Sequence, residues 1–260
     1  MIDSHFRVEV ISQTLCPQHV IRVAMGQDYS EDFAYDAFGC DKAKDEAKAG
    51  EIVVNQLLKG GRGHYGPLEH PQIVLNCGWF PHSTMQQVRT HRVGVSFDVQ
   101  SFRYTGNRIY ELGRDYLQAD SGSDFYDHKE FRDRADEVFY YRPVGDYTDR
   151  QGKRYSYTLS QRQDDITIAL QLAAHYYKRI ESGLSEEHAR GNIAFDVRQH
   201  WVMSANVRSL MHLLDLRWKA DAQLECQQLC DLIWPHFQAW CPQIAEWYES
   251  NRKGKARLAP

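Results

Sequence analysis

The chain has 260 residues, enough for one large domain or two small ones and amply enough to bury a core. Hydrophobic residues make up 42% and charged residues 25%, the balance of an ordinary globular protein. The formal net charge of −4 supplies no global field for nucleic acid or an anionic membrane, which leaves a local basic pocket for a small anion.

No apolar run is long enough to span a bilayer, and the opening MIDSHFRVEV lacks a signal-peptide core, so a cytoplasmic location without a membrane partner is expected. Six cysteines (Cys16, Cys40, Cys77, Cys226, Cys230, Cys241) show no CxxC spacing and read as reduced thiols. Cys226 and Cys230 are four apart on a predicted helix and could hold a metal, but core packing is the preferred reading.

Residues 6–14 alternate and are rich in β-branched side chains, which predicts an opening strand. Residues 17–38 read as an irregular loop with a short helix. A helix follows, capped by Asp41, with Ala43, Ala47, Val53, Val54 and Leu57 as its apolar stripe and Gly60-Gly61 as its stop. Gly66-Pro67 then make a turn that carries His64, Glu69 and His70 ahead of a strand over 72–80. Three such side chains in seven residues could ligate a metal, but a capping and hydrogen-bonding cluster suits them as well.

A helix is expected over 82–92, with Ser83 as cap and Val88 facing inward. Three-residue spacing puts Gln86 and Arg89 on one face. The chain leaves that helix at Gly94 and runs extended or looped to 106. Within 86–106 stand Arg89, His91, Arg92 and Arg103 among Ser96, Ser101, Tyr104 and Thr105, with one acid, Asp98. Guanidinium forks beside hydroxyls and glycines suit a phosphate or pyrophosphate.

Residues 107–160 suggest a hairpin turning near Asp149–Gly152 and carry no assignable chemistry; their aromatics are expected to cover the core. From Arg162, Ile166, Leu170, Ala173, Ala174, Tyr177 and Ile180 recur at helical spacing up to Gly183. Ser185 with Glu186 and Glu187 opens a further helix bearing Arg190. On the next helix, 206–225, Asn206 and Arg217 share one face, while Arg208 and His212 lie nearly opposite. Such a helix either separates two ligands or subunits, or has one solvated side and a buried pair such as Arg217 with Asp215 or Asp221. The remainder, through Trp234, Trp240 and Trp247, reads as an amphipathic helix and a basic tail.

The order of these residues resembles the flavin-dependent thymidylate synthases. Gly63-His64-x-x-Pro67-x-Glu69-His70 matches that family, as does Ser96-x-Asp98-x-x-Ser101-x-Arg103-Tyr104, with Asp98 where Asn is usual. Asn206-x-Arg208-Ser209-Leu210, with Leu214, Leu216 and Arg217, matches a third stretch, His212 replacing a second Asn. Two departures stand out: Thr90 interrupts an Arg-His-Arg run, and one spacer residue more than usual separates Arg92 from Ser101.

The resemblance implies a single α/β (α+β) domain over 1–260, a central mixed sheet flanked by helices, and a homotetramer with shared sites. It implies conversion of dUMP to dTMP with FAD as cofactor, and with NADPH and 5,10-methylenetetrahydrofolate as co-substrates. Arg217 would activate the uracil ring. Gln86, Arg89, Gln100, Ser101, Phe102, Arg103, Arg190 and Arg217 would bind dUMP. His64, Glu69, Arg89, His91, Arg92, Asp98, Asn206, Arg208 and His212 would surround FAD, and no metal is expected. The competing readings are a metallohydrolase using His64, Glu69, His70 and His91, and a non-catalytic nucleotide- or RNA-binding protein.

Overall fold

The computed structural model describes residues 2–38, 45–60, 63–119, 129–149 and 151–255. Its centre is a four-stranded sheet in the order β1 (Arg7–Gln13), β2 (Gln72–Pro81), β6 (Arg198–Asn206), β3 (Val95–Val99). Each of its pairings is antiparallel, so the expected mixed sheet is corrected. Alternation in β2 and β6 decides which face is inward. Ile73, Leu75 and Cys77 stand opposite Ala205, Met203 and Trp201, and all six are buried.

A bulge between Cys77 and Phe80 adds one residue to β2 and leaves Trp79 at φ 69°. The offset returns Phe80 to the core and sends the chain from Pro81 into α4 (His82–Val88). Arg198, buried opposite Pro81, ties this corner down by donating to the Trp79 carbonyl at 2.9 Å and pairing with Asp3 at 3.0 Å.

Residues 17–38 are more regular than expected. Pro17, Ile21 and Met25 recur four apart and are buried on α1 (Pro17–Gln27), and α2 spans Ala34–Phe38. Asp45 caps α3 (Glu46–Val53) by accepting the Lys48 N–H at 3.0 Å; the expected cap Asp41, like Gly61, lies outside the described residues. The helix continues as a wide turn over Val54–Leu58, and a 3-10 turn covers Gly66–Glu69. Ser83 is no cap, because α4 already starts at His82 behind Pro81; its hydroxyl instead accepts from Gln223 at 3.1 Å. α4 also ends earlier than expected, with Arg89 closing it.

The stretch after β3 holds two helices that the spacing did not reveal, α5 (Asn107–Gln118) and α6 (Lys129–Val138). The hairpin is present as β4 (Gly145–Thr148) and β5 (Arg154–Tyr157). Thr158 and Gln161 form a reciprocal cap on α7 (Leu159–Glu181), which therefore starts ahead of Arg162. These helices make a second apolar cluster around Leu112, Ala173 and Tyr176.

α8 (Glu186–Ala189) leads by way of Arg190 to β6, and β6 runs straight into α9 (Val207–Arg217). The expected single terminal helix is two, α10 (Leu224–Trp240) and α11 (Pro242–Asn251), because Pro242 starts a new one. Cys226 and Cys230 pack in the interior, where burial raises both thiol pKa values. No helix among the described residues is long and apolar enough to cross a membrane.

Gly113 sets the approach of α5 to α7: a Cβ there would stand 2.1 Å from the Ala173 carbonyl oxygen, a backbone atom that cannot swing away. Gly113→Ala is expected to cost about 1–3 kcal/mol through forced separation of the helices, read as a lower urea midpoint.

Candidate functional site

The site is built where α4 and its following turn meet the last turn of α9. Arg217 ends α9, and its guanidinium reaches the end of α4. Nε donates to His91 Nε2 at 3.0 Å and Nη1 to the Gln87 side-chain oxygen at 3.1 Å. Nη2 donates to the Gln87 carbonyl and to Thr90 Oγ1, both at 2.9 Å. A guanidinium has five N–H donors. Four are spent on this nest, so one, on Nη1, is left over among the described residues.

Arg217 pairs with neither Asp215 nor Asp221. Asp215 is buried against Arg252, and Asp221 lies near Lys219 at 3.7 Å. The expected buried ion pair on α9 is therefore present, but it joins Asp215 to Arg252 and leaves Arg217 out. His212 and Arg217, though well apart around the helix, both meet His91, whose ring centroid is 5.4 Å from that of His212.

His91 is 7% exposed, and its pKa is pushed down to about 4 from an ordinary 6.5. Burial is the largest cause, followed by the positive charge of Arg217 and then by His212. Near neutral pH the ring is therefore uncharged. Because Arg217 can only donate, Nε2 is the acceptor and the proton sits on Nδ1.

At the start of α9, Asn206 caps the helix by accepting the Ser209 N–H at 2.8 Å, and its own N–H meets the Gly94 carbonyl. Gly94 has φ 65°, and a Cβ there would lie 2.2 Å from Ser209 Oγ. Arg208 binds Glu69 at 2.6 Å, which joins the Gly63–His70 stretch to α9. His64 lies 3.5 Å from Asp28 instead. His64, Glu69 and His91 thus turn to three different partners, and among the described residues no group of three His, Cys, Asp or Glu side chains could hold a metal ion.

Arg89 and Arg92 line a cleft of about 380 Å³ with Val95, Ser96, Phe97 and Val99 of β3. Neither arginine has a carboxylate partner among the described residues, and Asp98 is exposed beside the cleft. Beyond β3 the chain folds into a tight turn, with the Ser101 carbonyl accepting the N–H groups of Tyr104 and Thr105. Among the described residues Ser101 Oγ has only the long contact to the Arg103 N–H at 3.4 Å. Arg103 pairs with Glu187 of α8 at 2.9 Å, which brings this turn beside the segment bearing Arg190. Arg190 itself is exposed. Phe102 packs against the second apolar cluster.

Gln86 and Gln100 are connected through His82 and Gln199, two residues absent from the motif reading. Gln87 and Thr90 were missed as partners of Arg217. The four-residue spacing of His82 and Gln86 on one helix was the available signal for the first pair.

Residues 9–243 match the family described as "Thymidylate synthase complementing protein". A flavin-dependent thymidylate synthase of Haloarcula marismortui is 30% identical over 97% of this chain and 99% of its own. Among solved structures, a UMP/dUMP methylase of Streptomyces cacaoi bound with 5-bromo-dUMP superposes with a TM-score of 0.68 at 19% identity, covering 99% of both chains. The Helicobacter pylori flavin-dependent synthase with FAD and dUMP gives 0.62 at 19%, covering 90% of this chain and 97% of that one. At such identities these two likenesses are of fold.

The His91 shift has a pH consequence. A lowered folded pKa favours the neutral ring, so its contribution is complete above 6.5 and is lost as pH falls toward about 4. The loss expected over that window is on the order of 3 kcal/mol. Urea unfolding from pH 7 to pH 4.5 should show a destabilisation that His91→Asn reduces, each protein being compared with itself.

Proposed function

We infer the reaction from one settled premise: the chain belongs to the flavin-dependent thymidylate synthases. It is an FAD-dependent methyltransferase that makes dTMP from dUMP. The observation that carries the residue roles is the grip on Arg217, which joins two motif stretches 126 residues apart in one hydrogen-bonded nest.

In this reading the free Nη1 hydrogen of Arg217 faces the uracil ring and stabilises negative charge developing at N3 and the neighbouring carbonyl. Four bonds hold the guanidinium in place beforehand, so little reorganisation accompanies that change. Neutral His91 is suited to support this task, because an imidazolium would repel the arginine.

Gln86, Arg89, Gln100, Ser101, Phe102, Arg103 and Arg190 hold the phosphate and sugar of dUMP, Phe102 through its backbone. Ser101 acts as a ligand and not as a nucleophile, since no His–Asp relay contacts its hydroxyl among the described residues. His64, Glu69, Arg89, His91, Arg92, Asp98, Asn206, Arg208 and His212 surround FAD. The donor set fits that cofactor: Arg89 and Arg92, without carboxylate partners among the described residues, border a cleft suited to phosphate groups. Bound FAD, reduced by NADPH, supplies a hydride, and 5,10-methylenetetrahydrofolate supplies the carbon.

The proposal extends to a single domain over 1–260, a homotetramer with shared sites, and a cytoplasmic location.

Purified protein is expected to show a flavin absorption band, and to release tritium from C5-labelled dUMP only with NADPH and methylenetetrahydrofolate present. Protein that takes up no added FAD would sink this assignment. Ser101→Ala should weaken dUMP binding about ten-fold yet retain methylation, whereas Arg217→Ala should lower kcat by about 10²-fold or more.

A further inference from the structure

Gln86 has two chemically opposite ends, and whether it offers an oxygen or an NH2 to the nucleotide decides what it can bind. The answer can be traced from a fixed point in the backbone. The Gln100 carbonyl can only accept, so Gln199 Nε2, 2.9 Å away, must donate to it. That sets the Gln199 amide and turns its oxygen toward His82 Nδ1 at 2.7 Å. An amide oxygen cannot donate, so the His82 proton sits on Nδ1. With that single proton on the ring, Nε2 is a lone pair. Gln86 Nε2 lies 2.7 Å from it and donates. The Gln86 oxygen is the end left for a ligand.

The line is locked from the other side as well. The Gln100 side-chain oxygen accepts the His200 N–H at 3.2 Å, and the Gln100 N–H binds the His200 carbonyl at 3.0 Å. Phe195 covers the His82 ring edge-on at 5.3 Å between centroids. α4 supplies Gln86 and His82, β6 supplies Gln199, and Gln100 follows β3; turning the Gln86 amide over would set its oxygen against the His82 Nε2 lone pair.

We propose that His82 and Gln199 preset Gln86 as a hydrogen-bond acceptor, so that Gln86 recognises an N–H or O–H donor of the nucleotide and makes no bond to its phosphate. This rests on the synthase reading for the identity of the nucleotide. dUMP has two donors of that kind, the sugar 3′-hydroxyl and the uracil N3–H. A phosphate oxygen facing the Gln86 oxygen would set acceptor against acceptor. His82 and Gln199 are positioning residues, acting through Gln86.

The test uses flavin-loaded protein and calorimetric binding of three nucleotides: dUMP, 2′,3′-dideoxyuridine monophosphate and N3-methyl-dUMP. Wild type is expected to lose about five-fold in affinity for the analogue lacking the recognised donor, and that analogue identifies which donor it is. In His82→Phe, or in Gln199→Leu if the first variant folds poorly, Gln86 can rotate, and the same loss should shrink below about two-fold. Long-range proton–nitrogen NMR of histidine-labelled wild type should find the His82 proton on Nδ1. A proton on Nε2, equal affinity of wild type for all three nucleotides, or an unchanged loss in both variants overturns the relay. Wild type that binds none of the three overturns the synthase reading itself, and a histidine spectrum still showing Nδ1–H in that case separates the two failures.

Discussion

The antiparallel pairing of β2 with β6 is the constraint on which the site depends. Its register runs from Gln72 opposite Asn206 to Pro81 opposite Arg198. The two strands therefore release their following helices at opposite ends of the sheet. α4 leaves beyond Pro81, and the turn after it travels back until Gly94 meets Asn206, where α9 begins. The two segments must then lie alongside each other, and the nest around Arg217 is where they touch. A one-residue slip would turn Trp201, Met203 and Ala205 out of the core and carry α9 away from His91.

Charge pairing separates two kinds of arginine in this molecule. Arg198, Arg142, Arg162 and Arg252 each hold a carboxylate within the chain, and Arg142 does so against the buried Glu225, whose own pKa is lowered on balance by that partner and Gln223 despite burial. Removing one member of such a pair strands the other, so these arginines belong to the fold. Arg89, Arg92 and Arg190 hold no such carboxylate among the described residues. An exposed guanidinium without an internal counter-ion is an anion receptor at little desolvation cost. The acidic total charge is compatible with this, since the positive charges that matter are gathered locally.

Much of this arrangement was legible in the residues. Strands β1 and β2, the hairpin and α7 follow from alternation, turn residues and helical spacing, and the three polar stretches are readable by order alone. What escaped depends on tertiary contact. The α5 stripe is Ile109, Leu112 and Gly113, and Gly113 reads as a breaker until α7 is seen pressed against it. The mixed sheet that the resemblance implied gives way to an antiparallel one, because β6 arrives from far along the chain to pair with β2 and β3 on its two sides. His82 and Gln199 match no motif, and their meaning lies only in a line of four bonded groups that runs from α4 through β6 to the residue after β3.

Thr90 looked like a fault in the pattern, an extra residue within Arg-His-Arg. In the folded chain its hydroxyl donates to the Gln87 carbonyl at 2.8 Å and accepts from Arg217 at 2.9 Å. One hydroxyl thus satisfies the end of α4 and the arginine together, which a residue without a hydroxyl could not do there. The insertion also moves His91 one position on, to where its ring is buried between Arg217 and His212. The irregular spacing and the buried neutral histidine are therefore parts of one solution: acceptors of three kinds, imidazole, amide and hydroxyl, hold a cation without neutralising it. A carboxylate in any of those places would fix Arg217 equally well in space but cancel the charge that a developing anion needs.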